Sequence, residues 1–171
     1  MKIALNLIFL LIASFSPVFA VAADNNVYTL PSAGISFSYP SSMHMDVNSS
    51  RDNPLSVVFM VGTPPLSSSV LFKHEDGDIS LNEFIEKERH QQKEGEYQNE
   101  IQENIVLIKD KINAIEIIRN SPIGKIRWFV FPSIKEKQLY SFWFMSSRLE
   151  DINKIALDGY LTMKSSLNLS K

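Results

Sequence analysis

The sequence predicts an α+β domain: one antiparallel β-sheet flanked by helices on both faces. Four successive β-rich runs occupy residues 101–145, and their connectors are so short that sequential runs must lie antiparallel. The last run, Gln138 to Met145, is apolar on both sides, with Leu139, Trp143 and Met145 facing one way and Tyr140, Phe142 and Phe144 the other. A strand of that kind needs a cover on each face. Two segments with helix-start chemistry, at Ser80 and at Ser147, are available as covers.

In chain order, Ile35-Ser36-Phe37-Ser38-Tyr39 alternates apolar and polar residues and reads as a strand with one buried face, ended by Pro40. Val57 to Val61 and Val70 to Lys73 are further short strands, joined across a Ser/Pro-rich loop at Thr63 to Ser69. Ser80-Leu81-Asn82-Glu83 then has capping-box spacing, in which the serine oxygen accepts from an early backbone amide and the glutamate reaches back to the cap. Leu81, Phe84 and Ile85 begin an apolar stripe, Glu86 to Glu96 is charged or polar and reads as solvated, and Gly95 is a stop. The runs Ile101 to Ile108, Ile112 to Arg119, Ile123 to Phe131 and Gln138 to Met145 follow, separated by Lys/Asp/Lys, Asn-Ser-Pro and Lys-Glu-Lys turns. A second helix opens at Ser147-Arg148-Leu149-Glu150 and carries Leu149, Ile152, Ala156, Tyr160, Met163 and Leu167 on one stripe. Gly159 within it costs about 1 kcal/mol relative to alanine, so a kink or a close contact is expected there.

Residues 1–22 read as a secretory signal peptide. Lys2 precedes an apolar run from Ile3 to Ala13, and small residues gather at Ala20, Ala22 and Ala23. The run is shorter than the roughly 20 apolar residues of a membrane span. Cleavage fits after Ala20 or after Ala22. We choose Ala22, because Asp24 and Asn25 then open a polar terminus. The product is a single domain over 23–171 with no transmembrane segment, periplasmic or secreted. The chain has no cysteine, which excludes a lipoprotein anchor, disulfides and thiol catalysis. Loss of the leader removes Lys2 alone among the charged residues and leaves 16 basic against 19 acidic ones, a balance of −3. That surface offers no electrostatic case for nucleic acid.

These elements resemble the PsbP-like fold, a superfamily that includes the PsbP subunit of photosystem II, the Ran-binding protein Mog and the bacterial envelope protein DcrB. The resemblance is carried by Gly34-Ile35-Ser36-Phe37-Ser38-Tyr39-Pro40-Ser41, by Ser80-Leu81-Asn82-Glu83-Phe84, by the long antiparallel run and by a final helix ending Met163-Lys164-Ser165-Ser166. Members often have tryptophan where this chain has Met43. The fold serves dissimilar tasks within the superfamily. What the resemblance implies is an α/β/α sandwich and a non-catalytic accessory or binding protein without a cofactor, whose partner is an envelope protein or a lipid-associated component.

His74-Glu75-Asp76-Gly77-Asp78 is the densest ligand-like cluster, and His74, Asp76 and Asp78 are the candidate metal ligands, suited to calcium or manganese. The competing reading is a solvated turn whose Asp78 favours the positive end of the next helix. Met43-His44-Met45 suggests copper, but in an extended segment the two methionines face one side and the histidine the other, so methionine is expected as core filler. Arg127, set in an apolar strand, is a candidate ligand for an anionic group with Arg119 as a second contact. Its competing role is to lay its stem on the sheet and keep its head wet. Neither a nucleophile elbow nor a phosphate-binding glycine loop is present. An unrecognised hydrolase would require a deep cleft near Arg127 or His74.

Overall fold

A computed structural model describes residues 24–47, 56–64, 66–75, 77–94, 99–102, 112–121, 124–145 and 150–171. The leader, Asp76, Gly95 and the Ser147 cap lie outside these residues. The elements are β1 (Asn25–Leu30), β2 (Ile35–Pro40), β3 (His44–Asp46), β4 (Val57–Thr63), β5 (Leu66–His74), α1 (Leu81–Glu94), β6 (Asn99–Gln102), β7 (Ile115–Ser121), β8 (Gly124–Pro132), β9 (Leu139–Met145), α2 (Glu150–Ser166) and β10 (Asn168–Leu169). They build a seven-stranded antiparallel sheet in the order β3-β4-β5-β9-β8-β7-β6 and a three-stranded one in the order β1-β2-β10.

The alternation read from the sequence is kept. Phe59, Val70, Phe72, Phe129, Phe131, Tyr140, Phe142 and Phe144 point to one face of the larger sheet, where Ile35 and Phe37 of β2 and Ala156, Tyr160 and Met163 of α2 complete the main core. Ile115, Ile117, Trp128, Val130 and Leu139 point to the other face, under Phe84 and Ile85 of α1. The helices therefore lie on opposite faces, as expected. Cover on the α1 side is incomplete, because α1 sits over β7 and β8, and Met145 at the end of β9 remains 51% exposed.

Of the smaller sheet, the sequence predicts only the central strand, β2. The expected polar terminus at Asp24 and Asn25 continues directly into β1, whose Tyr28 turns inward onto Phe37, Phe59 and Phe72. β10 closes the other side of β2, with Ser170 N donating to the Gly34 carbonyl at 2.8 Å. Gly34 has φ +67°, and a Cβ there would stand 2.1 Å from the Ser170 carbonyl oxygen, so only glycine fits.

The α1 cap forms as read: Glu83 accepts from Ser80 N at 2.7 Å, and Glu83 N donates to Ser80 Oγ at 3.3 Å. The polar half of that helix is not wholly solvated, since Glu88 is buried. Met43 is core filler, and it explains Gly159: a Cβ on that glycine would lie 2.4 Å from the Met43 sulfur. Gly159→Ala is expected to destabilise the protein by about 1–3 kcal/mol through overpacking. In a Met43→Ala background the same change should instead stabilise by up to about 1 kcal/mol, as helix propensity takes over. Urea unfolding of the four chains reads this reversal of sign.

Candidate binding face

One row of side chains crosses the α1 side of the larger sheet. Val58 stands opposite Leu71, Leu71 opposite Trp143, Trp143 opposite Trp128, and Trp128 opposite Ile117. Phe84 of α1 closes over Trp128 edge-on, with ring centroids 5.0 Å apart. Beyond that contact the row emerges from beneath the helix. Trp143, Leu71 and Val58 are half-buried, and so are Met60 and Ile126 in the next row, where Met145 is exposed.

Glu75 fixes the two indoles. Its Oε1 accepts from Trp128 Nε1 at 2.9 Å, from Trp143 Nε1 at 3.3 Å and from Ser141 Oγ, while Lys73 Nζ lies 3.1 Å from Oε2. Lys73 Nζ also stands 4.8 Å from the centre of the Trp143 ring, in cation–π range. A carboxylate buried this deeply needs such a set of donors. With its acceptor sites so occupied, Glu75 holds the two indoles in place. Ser141 is fully buried and donates to Glu75, which places its hydroxyl beyond the reach of a substrate.

A second buried carboxylate ties the opposite face to α2. Glu116 accepts from Tyr160 Oη at 2.9 Å and from Lys164 Nζ, with Arg127 Nη1 at 3.4 Å. Burial pushes this carboxyl up, but the hydrogen bonds from Lys164 and Tyr160 and the charges of Lys164 and Arg127 outweigh it and hold the group below the usual carboxylate range. The same burial and the Glu116 charge push the Tyr160 hydroxyl far above its ordinary value. Glu88 behaves in the other sense: burial raises its carboxyl, the charges of Arg119 and Lys87 offset this only in part, and Glu75 adds to it.

The two candidate anion ligands do not converge. Arg119 Nη2 meets Glu88 of α1 at 3.1 Å on one face, whereas Arg127 meets Glu116 on the other. The register accounts for this. Ile118, not Arg119, stands opposite Arg127, and neighbouring residues on a strand point to opposite sides. Each head thus faces a carboxylate, a pairing that spacing within either strand alone could not show.

His74 lies on the main-core side, edge-on to Tyr140 at 5.3 Å, and its Nε2 is buried without a hydrogen-bond partner. Asp78 is exposed at the turn, beside Gly77 at φ +96°. Among the described residues no three His, Asp or Glu side chains are grouped to hold a metal, and Asp76 lies outside them. A surface recess of about 560 Å³ borders Asp158, Leu161, Thr162, Lys164 and Ser165, and a second of about 400 Å³ lies between the start of α1 and the β8–β9 turn. Neither takes in Arg127 or His74.

No protein-family model matches the chain, and no curated protein matches it. In structure it is similar to cyanobacterial PsbP (CyanoP) from Synechocystis sp. PCC 6803, at TM-score 0.52 and 14% identity, with 89% of this chain and 96% of that one covered. It is also similar to the Saccharomyces cerevisiae Ran-binding protein Mog1p, at TM-score 0.51 and 10% identity, covering 86% and 96%. The chain has the PsbP-like fold.

Two outcomes test the carboxylates. Glu75→Ala should cost about 3 kcal/mol in chemical denaturation, because Trp128 Nε1 and Ser141 Oγ lose their acceptor, and should shift tryptophan emission. Glu116→Gln should cost about 1–3 kcal/mol at pH 7. A carboxyl lowered by folding stabilises above its unfolded value, about 4.3, and loses that contribution as pH falls through the folded value. The gap between wild type and Glu116→Gln should therefore stay constant from pH 7 to about 5 and narrow below about 4 in acid titrations of stability.

Proposed function

We propose that this PsbP-like domain is a non-enzymatic accessory protein, exported through a cleaved signal peptide over residues 1–22 to the periplasm or beyond. There it binds another envelope component, a protein or a lipid-associated assembly. The carrying observation is the open part of the α1-side face, where Trp143, Leu71, Val58, Met60 and Ile126 are partly covered and Met145 is exposed. Partly covered apolar surface with a rigid aromatic at its centre is the composition of an interaction surface. Glu75 and Lys73 hold the Trp143 ring in place, so little side-chain entropy remains to be lost on binding.

The similar structures support a binding role in a general way, since one is a Ran-binding protein. The metal reading of His74, Asp76 and Asp78 ranks below this one, because His74 turns toward the main core and Asp78 stands in solvent.

A photo-crosslinking residue at Met145, in protein expressed from the full chain in its own host, tests the accessory reading. The expected result is one dominant adduct in the envelope fraction, absent when the probe sits at Ile155, an exposed position on α2. Identical products from both positions, or none from Met145, would overturn it.

A further inference from the structure

We propose that two copies of this chain join through their β1 strands, antiparallel about a two-fold axis at Val27, so that two three-stranded sheets become one sheet of six. β1 ends the smaller sheet: β2 lies on one side, and among the described residues no strand lies on the other. Which backbone groups face that open side follows from the register. Ser41 N donates to the Asp24 carbonyl at 2.9 Å, and antiparallel bonds join only directly opposite residues. With Asn25 opposite Pro40 and Val27 opposite Ser38, residues 24, 26, 28 and 30 turn their amides and carbonyls toward β2. Asn25, Val27 and Thr29 turn theirs outward. The far side of β2 agrees, since Ser170 N bonds the Gly34 carbonyl and so fixes which β2 residues point away from β1.

This open edge lacks the usual protection. Edge strands are normally kept short, charged, bulged or interrupted by proline. β3 has three residues and ends in Asp46, β6 has four and includes Glu100, and β10 has two. β1 has six, with no charge, proline or glycine, and its pairing with β2 runs without a bulge. Val27, at 67% exposed, stands in the middle of it, on the side away from Tyr28 and the core.

A second copy fits the edge better than an unrelated strand because the edge complements itself. With Val27 opposite Val27, Asn25 falls opposite Thr29 twice, and the three outward residues of each copy exchange six backbone hydrogen bonds. The two valines then lie about 5.5 Å apart between Cα atoms, each covering the other. The nearest charge, Asp24, falls at the two ends of the pair, about 20 Å from its mate, so no like charges are opposed.

The chain has no cysteine, so one introduced thiol is unique and can be used with protein expressed from the full chain. Under a short bifunctional maleimide, Val27→Cys should give covalent dimer about tenfold faster than Asn25→Cys or Thr29→Cys, whose mates stand about 14 Å apart in this register. Sedimentation should find wild-type dimer and Val27→Lys monomer, a substitution at an exposed side chain that opposes two like charges. Equal crosslinking at all three positions would overturn the proposal. So would a wild-type monomer, a dimer that survives Val27→Lys, or β1 found paired with another protein's strand.

Discussion

Phe37 projects from the middle of the smaller sheet onto the larger one, where its ring meets Phe59, Phe72 and Phe142 at centroid distances of 5.7, 5.1 and 4.8 Å. Contacts of this kind contribute about 0.5–1.5 kcal/mol each beyond the area they bury. They join strands that pair with no member of the opposite sheet. Tyr28 and Tyr39 extend the joint along β1 and β2, and Ala156, Tyr160 and Met163 of α2 fill the space beside it. Without this joint, the three short strands would keep only α2 to pack against, which β2 meets through Ser38 N and Ser166 Oγ at 2.8 Å.

The two faces of the larger sheet solve one electrostatic problem for different ends. Glu116 receives donors from both the sheet and α2, so its charge fastens the helix to the strands. Glu75 receives its donors from the sheet itself, and its charge orients tryptophans. The first leaves a closed layer. The second leaves a fixed pair of indoles, tilted 51° to each other, that α1 covers only in part. The fold is one that the yeast Ran-binding protein also has, yet the side chains that would decide a partner are this chain's own.

Period-two patterning made most of the larger sheet legible, because strands packed on both sides leave their inward residues apolar. β9 is the clearest case: Phe142 and Trp143 stand on the two faces as the alternation requires. The α1 cap was legible for a local reason, its bonds lying within four residues. What escaped was set by distant partners. β1 is too polar to stand out, and it becomes a strand only because β2 pairs with it. Glu88 and Glu116 look like surface acids in sequence; Arg119 and Arg127, brought to them by the fold, make their burial tolerable. Glu75 was read as part of a ligand loop, and its bond to Trp128 spans 53 residues.

The smaller sheet has a consequence for the order of events in folding. Its three strands come from both extremes of the described chain, with β1 and β2 near residues 25 to 40 and β10 at residues 168 and 169. Chains are made at about 5–20 residues per second, so β2 has no β10 to pair with until many seconds after it has left the ribosome. α2, which supplies much of the cover for Phe37's neighbours, arrives equally late. Pairings this far apart in sequence fold slowly once available. β1–β2 and β4–β5 can pair early, but the main core closes as one late event, once elements from both extremes of the described chain are present together.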